Sequence, residues 1–266
     1  MKLKNRVAVV TGGGRGIGKA ICLAFAGQGA SVIVAADVRA QVNDVSDLLI
    51  KKGSESHPYV CDITDIEQVK GLASEVKKRF GRLDILVNNA GVVGKRAFTW
   101  ESDDKIWRRT VEVNLFGTYN VTKALLPIII EQQNGRVINI ASISGKQASP
   151  TNSAYAASKH GVIGLTRTVA VELCLLGLNG ITVNAICPGV VNTDMLTGEG
   201  EILDEIARLL GVNREKALEE RVLSMSAQRR LFEPQEIAEA AVYLASDDAK
   251  GITGQAINVC GGSVFY

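Results

Sequence analysis

The sequence predicts an α/β protein built as a single doubly wound, Rossmann-type domain, and three observations carry that prediction. Short runs rich in Val and Ile recur at strand length, they alternate with longer segments of helical spacing, and no linker interrupts the alternation. Composition agrees, because 46% hydrophobic and 22% charged residues are ordinary globular usage and exclude disordered, collagen-like or coiled-coil chains. At about 150 residues per domain, 266 residues leave room for two domains. The five prolines are scattered, however, and no Ser/Gly/Pro-rich stretch divides the chain, so 1–266 reads as one domain.

The elements follow in order. Val7–Val10 is the first strand, and a glycine-rich turn leads into a helix that begins near Lys19 and carries Ala20–Phe25. Val32–Ala35 is the second strand, ending at Asp37, and Tyr59–Val60 is a weaker third. A helical segment over Val69–Val76 precedes the strand Leu83–Val87, and Val137–Ile140 is the next. Helical spacing returns over Ala157–Leu173, followed by the strands Ile181–Ile186 and Ala256–Val259. Between Val190 and Phe232 the alternation lapses into charged residues around sparse apolar pairs such as Leu209-Leu210, which predicts an insertion of two short helices. With Gly198 and Gly200 at its start as hinges and charged residues from Glu199 onwards, this insertion at about 190–232 is expected to be a lid, since loops after sheet strands are where ligands bind. A solvated helical excursion is the alternative.

Several classes of function are disfavoured at once. Thirty basic against 28 acidic residues gives 30 − 28 = +2, no excess for a phosphate backbone, so nucleic acid is not an expected partner. Five cysteines, an odd number without a CxxC pair, point to reduced thiols and a cytoplasmic location. With only His57 and His160 and no zinc-ligand spacing, no metal is expected. Val7–Val10 is too short for a signal segment of about 7–15 residues. Leu125–Ile130 is far below the ~18 residues of a membrane span, so no membrane is expected.

The turn after the first strand reads Thr11-Gly12-Gly13-Gly14-Arg15-Gly16-Ile17-Gly18. Glycines allow close approach of a phosphate, and a helix N-terminus attracts its charge. The spacing Gly12-x3-Gly16-x-Gly18 departs from GxGxxG, and Gly13-x4-Gly18-Lys19 meets the P-loop pattern up to its final Ser/Thr, where Ala20 stands. A dinucleotide and a nucleoside triphosphate therefore both remain open at this point. Asp37, 26 residues after Thr11, is placed to accept bonds from the ribose hydroxyls and to repel a 2′-phosphate, which favours NAD over NADP. Arg15 pulls the other way.

Tyr155 and Lys159 lie four apart on one helix face. An ammonium about 4 Å from a phenol, at an effective dielectric near 20, favours the phenolate by ~4 kcal/mol, enough to let a tyrosine take a proton from an alcohol. Ser142 ends a buried-type strand 13 residues earlier, without a GxSxG setting or an Asp-His partner, so its hydroxyl suits holding a substrate oxygen rather than nucleophilic attack.

With these residues in view, the chain resembles the short-chain dehydrogenase/reductase family over essentially its whole length. The markers Thr11 to Gly18, Asp62, Asn88-Asn89-Ala90-Gly91, Asn114, Ser142, Tyr155 with Lys159, Pro188-Gly189 and Thr193 occur in the family's order. The resemblance removes the P-loop alternative and implies a sheet of about seven strands in the order 3-2-1-4-5-6-7. It implies that Tyr155 is the acid/base and that Ser142 positions the substrate oxygen. Lys159 would lower the tyrosine pKa and bind the nicotinamide ribose. Asn114 would hold a water linking Lys159 to solvent, and its apolar helical context makes a bonded partner for the amide necessary. The implied cofactor contacts are Gly12, Arg15, Gly16, Ile17 and Gly18 at the turn, Asp37 at the ribose, and Asp62, with Ile63, towards the adenine. Asn89, Ala90 and Gly91 would back the adenosine ribose. Pro188, Gly189, Val191 and Thr193 would fix the nicotinamide carboxamide. Asp37 stands one residue beyond the family's commonest acidic position.

The expectation is thus an NAD-dependent dehydrogenase of secondary alcohols and their ketones. Gly251 to Gly262 resembles the endings of bacterial polyol, sugar-alcohol and small diol dehydrogenases, which suggests those substrates. An NADPH-dependent 3-oxoacyl carrier-protein reductase is the alternative, in conflict with Asp37. A dinucleotide-binding regulator is the non-enzyme alternative, opposed by the intact Asn114, Ser142, Tyr155 and Lys159. The small residues Ala154, Ala157, Ser158, Gly161 and Gly164 beside Leu165, with the apolar end Val264-Phe265-Tyr266, point by the same resemblance to a homotetramer.

Overall fold

A computed structural model describes residues 1–38, 41–198 and 201–266. The strands β1 Val7–Thr11, β2 Val32–Asp37, β3 Glu55–Val60, β4 Ile85–Asn88, β5 Gly135–Ile140, β6 Ile181–Pro188 and β7 Ala256–Val259 form one seven-stranded sheet in the order β3-β2-β1-β4-β5-β6-β7. Every pairing is parallel, as expected. In β1, β4, β5 and β6 every residue is buried, the condition that selects continuous Val/Ile-rich runs over alternating ones. β3 starts four residues before the expected Tyr59–Val60, because it is an edge strand of exposed and half-buried residues in which Pro58 is tolerated.

Helices cover both faces. On one, α1 Gly16–Gly27 and α2 Val42–Lys51 share a core with α10 Pro234–Ala245 through Ile21, Phe25, Leu49, Ile237 and Leu244. On the other, α3 Ile66–Phe80, α5 Thr118–Gln132 and α6 Ser153–Leu175 pack through Leu72, Val121, Leu125, Val169 and Leu173. α3 shows how sequence sets such boundaries. Asp65 accepts from the N–H groups of Glu67 and Gln68, Lys77, Lys78 and Arg79 fill the last turn, and Gly81 closes it with φ +65°.

α4 Asp104–Val111 runs through a π-helical turn, Glu112–Gly117, into α5. This continuous helix, Asp104–Gln132, is long and apolar enough by composition to cross a membrane. Its Val121, Leu125 and Ile129 are instead fully buried against the sheet, as in a core helix.

The insertion differs in detail from the expected two helices. It contains α7 Asp194–Thr197, α8 Ile202–Leu210 and α9 Arg214–Ala217, followed by two further short helical turns. Gly211, at φ +64°, ends α8, and Asn213 caps α9 by accepting from Lys216 N, so one apolar stretch is split. Leu203, Ala207, Ala217 and Val222 give it a small core of its own. The chain returns to the sheet where Phe232 N donates to Val190 O at 3.0 Å and Asn192 N to Phe232 O at 2.8 Å. Glu199 and Gly200 lie outside the described residues.

Because all strands are parallel, their carboxyl ends share one edge. The glycine turn, Asp37, Asn88–Gly91, Ser142 and Pro188–Thr193 are thereby gathered from five strands.

Candidate active site

The turn after β1 is locked to the turn after β4. Thr11 Oγ1 accepts from the N–H groups of Asn89 (3.0 Å) and Ala90 (3.1 Å), and Asn89 Nδ2 donates to the carbonyls of Thr11 (2.9 Å) and Gly12 (3.1 Å). Side chains are excluded here. A Cβ on Gly12 would lie 2.7 Å from Asn89 Nδ2, and one on Gly18 would lie 2.0 Å from the Gly12 carbonyl oxygen. α1 starts at Gly16 after Arg15 with no side-chain cap and no acidic residue in its first turn. Backbone cleared of side chains beside an uncapped helix N-terminus fits a dinucleotide's phosphates. Ile17 packs on the core below.

Asp37 reaches the same turn, its Oδ2 accepting from Gly14 N at 3.1 Å. Thr193 flanks it from the other side, its methyl 3.5 Å from where a Gly16 Cβ would stand. Gly189 is held by donating to Val259 O at 2.9 Å beside Pro188, and Val191 is buried. Burial works against the Asp62 carboxylate, but hydrogen bonds from Thr64 and Arg109 outweigh it and hold the group below its ordinary pKa. An adenine amino group would therefore share an oxygen that protein groups already use. Ile63, next in the chain, is buried against Gly117.

Behind the cofactor turn stands the expected catalytic group. The π-helical turn turns Asn114 inward, where it is fully buried: Oδ1 accepts from Val92 N (2.8 Å), and Nδ2 donates to Val92 O (2.8 Å) and Ser158 Oγ (3.0 Å). The amide thus has the bonded partners its setting requires, but they are protein groups. Both its N–H bonds are spent, which leaves the side chain no donor for the expected water. Ser158 Oγ donates in turn to Tyr155 O at 2.8 Å. Lys159 is buried, and its Nζ donates to Ile140 O at 2.7 Å, at the end of β5. Gly91 closes the junction, since a Cβ there would stand 3.0 Å from Asn114 Oδ1 and 3.7 Å from Lys159 Nζ. Below, Asn88 Nδ2 bonds Thr122 Oγ1 and Asn139 Oδ1, and Asn139 Nδ2 bonds Thr166 Oγ1, tying β4, β5, α5 and α6 together.

Electrostatics depart from the expectation in one respect. Burial pushes the Tyr155 phenol above its ordinary pKa of 10.0, opposed by the Ser142 hydrogen bond and the positive charge of Arg96, with Cys187 raising it further. Lys159 is itself pushed down by burial, to about 8. Its Nζ lies 5.6 Å from the centre of the Tyr155 ring and bonds a carbonyl instead. Ser142 and Arg96 favour the phenolate, while enclosure penalises the charged forms of both Tyr155 and Lys159.

Arg96 was not among the residues singled out from sequence. It lies in the segment that follows Gly91, where Ala97 N donates to Thr151 O at 2.9 Å. Its only sequence signal is a basic Lys95-Arg96 pair shortly after the Asn88–Gly91 motif. A cavity of about 230 Å³ lies between this segment, the start of α4 and α8, with Arg96 in its wall and Tyr155 outside it. No group of three or more His, Cys, Asp or Glu that could hold a metal occurs among the described residues.

Comparison with known proteins places this arrangement among relatives. The family described as short chain dehydrogenase matches residues 6–202. The chain is 39% identical over 269 residues to the 3-oxoacyl-[acyl-carrier-protein] reductase FabG of Thermotoga maritima, covering 100% of both chains. Among solved structures it is similar to an actinorhodin polyketide ketoreductase with NADPH (36% identity, TM-score 0.90, 98% of each chain). It is also similar to an NAD+-bound xylitol dehydrogenase (30% identity, TM-score 0.88, 98% of this chain and 100% of that one).

Proposed function

Since the chain belongs to the short-chain dehydrogenase family, an oxidoreductase family whose fold binds a nicotinamide dinucleotide, we propose that it interconverts a small secondary alcohol and its ketone with NAD. The observation that carries this reading is the gathering of Ser142 at the end of β5, Tyr155 and Lys159 on α6, and Asn114, with Lys159 Nζ bonding Ile140 O and a Gly91 Cβ falling 3.7 Å from it, while Ser142 favours the Tyr155 phenolate. Ser142 and Tyr155 would bind one substrate oxygen between them, and Tyr155 would take its proton during oxidation or return it during reduction. Lys159, with a pKa near working pH, would pass that proton on and hold the nicotinamide ribose. The dinucleotide, when bound, supplies the hydride acceptor. Gly12, Arg15, Gly16, Ile17 and Gly18 would hold its phosphates, Asp37 its adenosine ribose, and Pro188 to Thr193 its carboxamide.

NAD over NADP rests on Asp37, a carboxylate at the end of β2 that faces the turn. Polyols and diols draw support from the likeness to a xylitol dehydrogenase. A second reading, NADPH-dependent reduction of 3-oxoacyl groups, is favoured by the relative named 3-oxoacyl-[acyl-carrier-protein] reductase and by the ketoreductase solved with NADPH. Initial rates with both cofactors across polyols, diols, hydroxy acids, cyclic alcohols and a 3-oxoacyl thioester separate them. The first reading expects NAD to be preferred by at least about tenfold, with Asp37→Ala narrowing the gap. Preference for NADPH and the thioester would establish the second, and no turnover would favour a dinucleotide-binding regulator.

We also read the chain as a homotetramer with the insertion as a lid. Phe116, Tyr119, Val171 and Leu175 are exposed on α5, α6 and the π-helical turn, and Phe265 and Tyr266 at the chain's end. Glu205 of α8 accepts from Arg96 N at 3.2 Å, bringing the insertion over the segment beside Tyr155.

A further inference from the structure

We propose that Arg96 binds an oxyanion of the substrate, so that the alcohol oxidised here carries a carboxylate within a few bonds of the reacting carbon. The inference rests on the alcohol-oxidoreductase reading above and replaces its neutral polyol by a short hydroxy acid.

Arg96 is fixed through its main chain and underused through its side chain. Its N–H donates to Glu205 on α8, and the next residue bonds Thr151. Among the described residues the guanidinium makes only long bonds, from Nη1 to Pro150 O at 3.4 Å and to Thr151 Oγ1 at 3.3 Å. Nε is buried and has no hydrogen-bond partner among the described residues. Arg96 is half-buried, and its idle Nε is fully enclosed; an unmet donor there is costly, and a hydroxyl ligand would fill it while leaving the charge to the single nearby carboxylate of Glu205. A carboxylate does both, because its two oxygens match the planar fork of the guanidinium. The Glu205 carboxylate acts on this group, but its bonding oxygen accepts from the Arg96 main-chain N–H rather than from the guanidinium.

The position of Arg96 says where the anion would lie. Its guanidinium bonds Pro150 O and Thr151 Oγ1 and shares the cavity lining with Thr151 to Ala154, the segment that leads into Tyr155, so a ligand on it lies on the side of the site where Tyr155 stands. Arg96 also forms part of the wall of the 230 Å³ cavity, with Trp107, Asn152 and Arg208. At about 30 Å³ per water-sized group, that space takes the remainder of a small acid, and its lining holds the further cations Lys95 and Arg208 beside the carboxylates Glu101 and Asp103.

The test compares a 3-hydroxycarboxylate of four or five carbons with the neutral diol of the same skeleton, in the unmodified enzyme, Arg96→Gln and Arg96→Lys. Because Arg96 also acts on Tyr155, its loss changes the rate with both substrates, and the ratio of the two kcat/KM values removes that shared effect. The unmodified enzyme is expected to prefer the acid by at least about tenfold. Arg96→Gln should cut that ratio by at least about 30-fold, mainly through KM, as for loss of one partner of a buried charge pair, and Arg96→Lys should recover part of it. Calorimetry with malonate, which cannot be oxidised at a carbinol, gives a second readout, with binding expected in the unmodified protein and lost in Arg96→Gln. Preference for the diol, an unchanged ratio in Arg96→Gln, or malonate binding that is absent or indifferent to Arg96 would overturn the proposal while turnover of any alcohol upholds the reading beneath it. If no alcohol of either kind is oxidised, that reading falls, and Arg96-dependent malonate binding alone decides the oxyanion site.

Discussion

Lys159 and Tyr155 illustrate at the residue scale how burial moves a lysine and a phenol in opposite directions. Each is pushed towards its neutral form, the lysine from 10.5 down to about 8 and the phenol upwards. A lysine depressed in the folded state binds fewer protons there than in the unfolded chain between the two values. Its burial therefore costs stability at and below pH 8, and the cost disappears as pH rises to 10.5. The difference is worth about 3 kcal/mol. Denaturant unfolding of Lys159→Met and of the unmodified protein across pH 7–10.5 should thus show stability rising with pH in the unmodified protein relative to the variant. A constant difference would place the lysine pKa near its ordinary value. Tyr155, Lys159 and Ser142 stood out in the sequence by a short helical spacing and a strand end, and Asn114 by the family resemblance, its apolar helical context adding only that the amide needs a partner. Arg96 did not, since a basic residue in a loop reads as solvated surface until the fold sets it beside Tyr155. Nor could spacing foresee that enclosure would raise the phenol and depress the lysine together.

At the scale of elements, strands buried on both faces announced themselves, whereas β3, half-exposed and holding Pro58 at the sheet's edge, was visible only in its last two residues. The insertion was legible as a break in rhythm, but its division at Gly211 depends on a local left-handed turn that charge patterning does not mark. The strongest element-level constraint is the locked pair of turns after β1 and β4. Gly18→Ala would put a methyl 2.0 Å from a backbone oxygen that Asn89 holds in place. It should lower stability by about 1–3 kcal/mol and weaken dinucleotide binding, read by urea unfolding and NADH fluorescence titration. Normal stability and affinity in this variant would show that the cradle yields more readily than its hydrogen bonds imply.

For the whole molecule, sheet order and the gathering of the site at one edge followed from family markers spread along the chain, and the structure reproduces both. Assembly was read from small residues on α6, and the structure divides them. A Cβ on Gly161 would meet Leu115 at 2.7 Å within the chain, while one on Gly164 meets nothing within 4 Å. Light scattering is expected to give about four times 28.3 kDa. Gly164→Trp should reduce that mass if α6 is in contact with a second copy, whereas Gly161→Trp tests only packing inside the chain. A monomer at micromolar concentration would contradict the tetramer. What the gathered residues do is read most directly from NADH formation by Tyr155→Phe beside the unmodified enzyme, with NAD and an oxidisable alcohol at saturation. Loss of the phenol's proton should lower kcat by more than about 100-fold while NADH still binds within about twofold. A variant that keeps a tenth or more of the rate would mean that Tyr155 is not the acid/base and that the proposed chemistry is wrong.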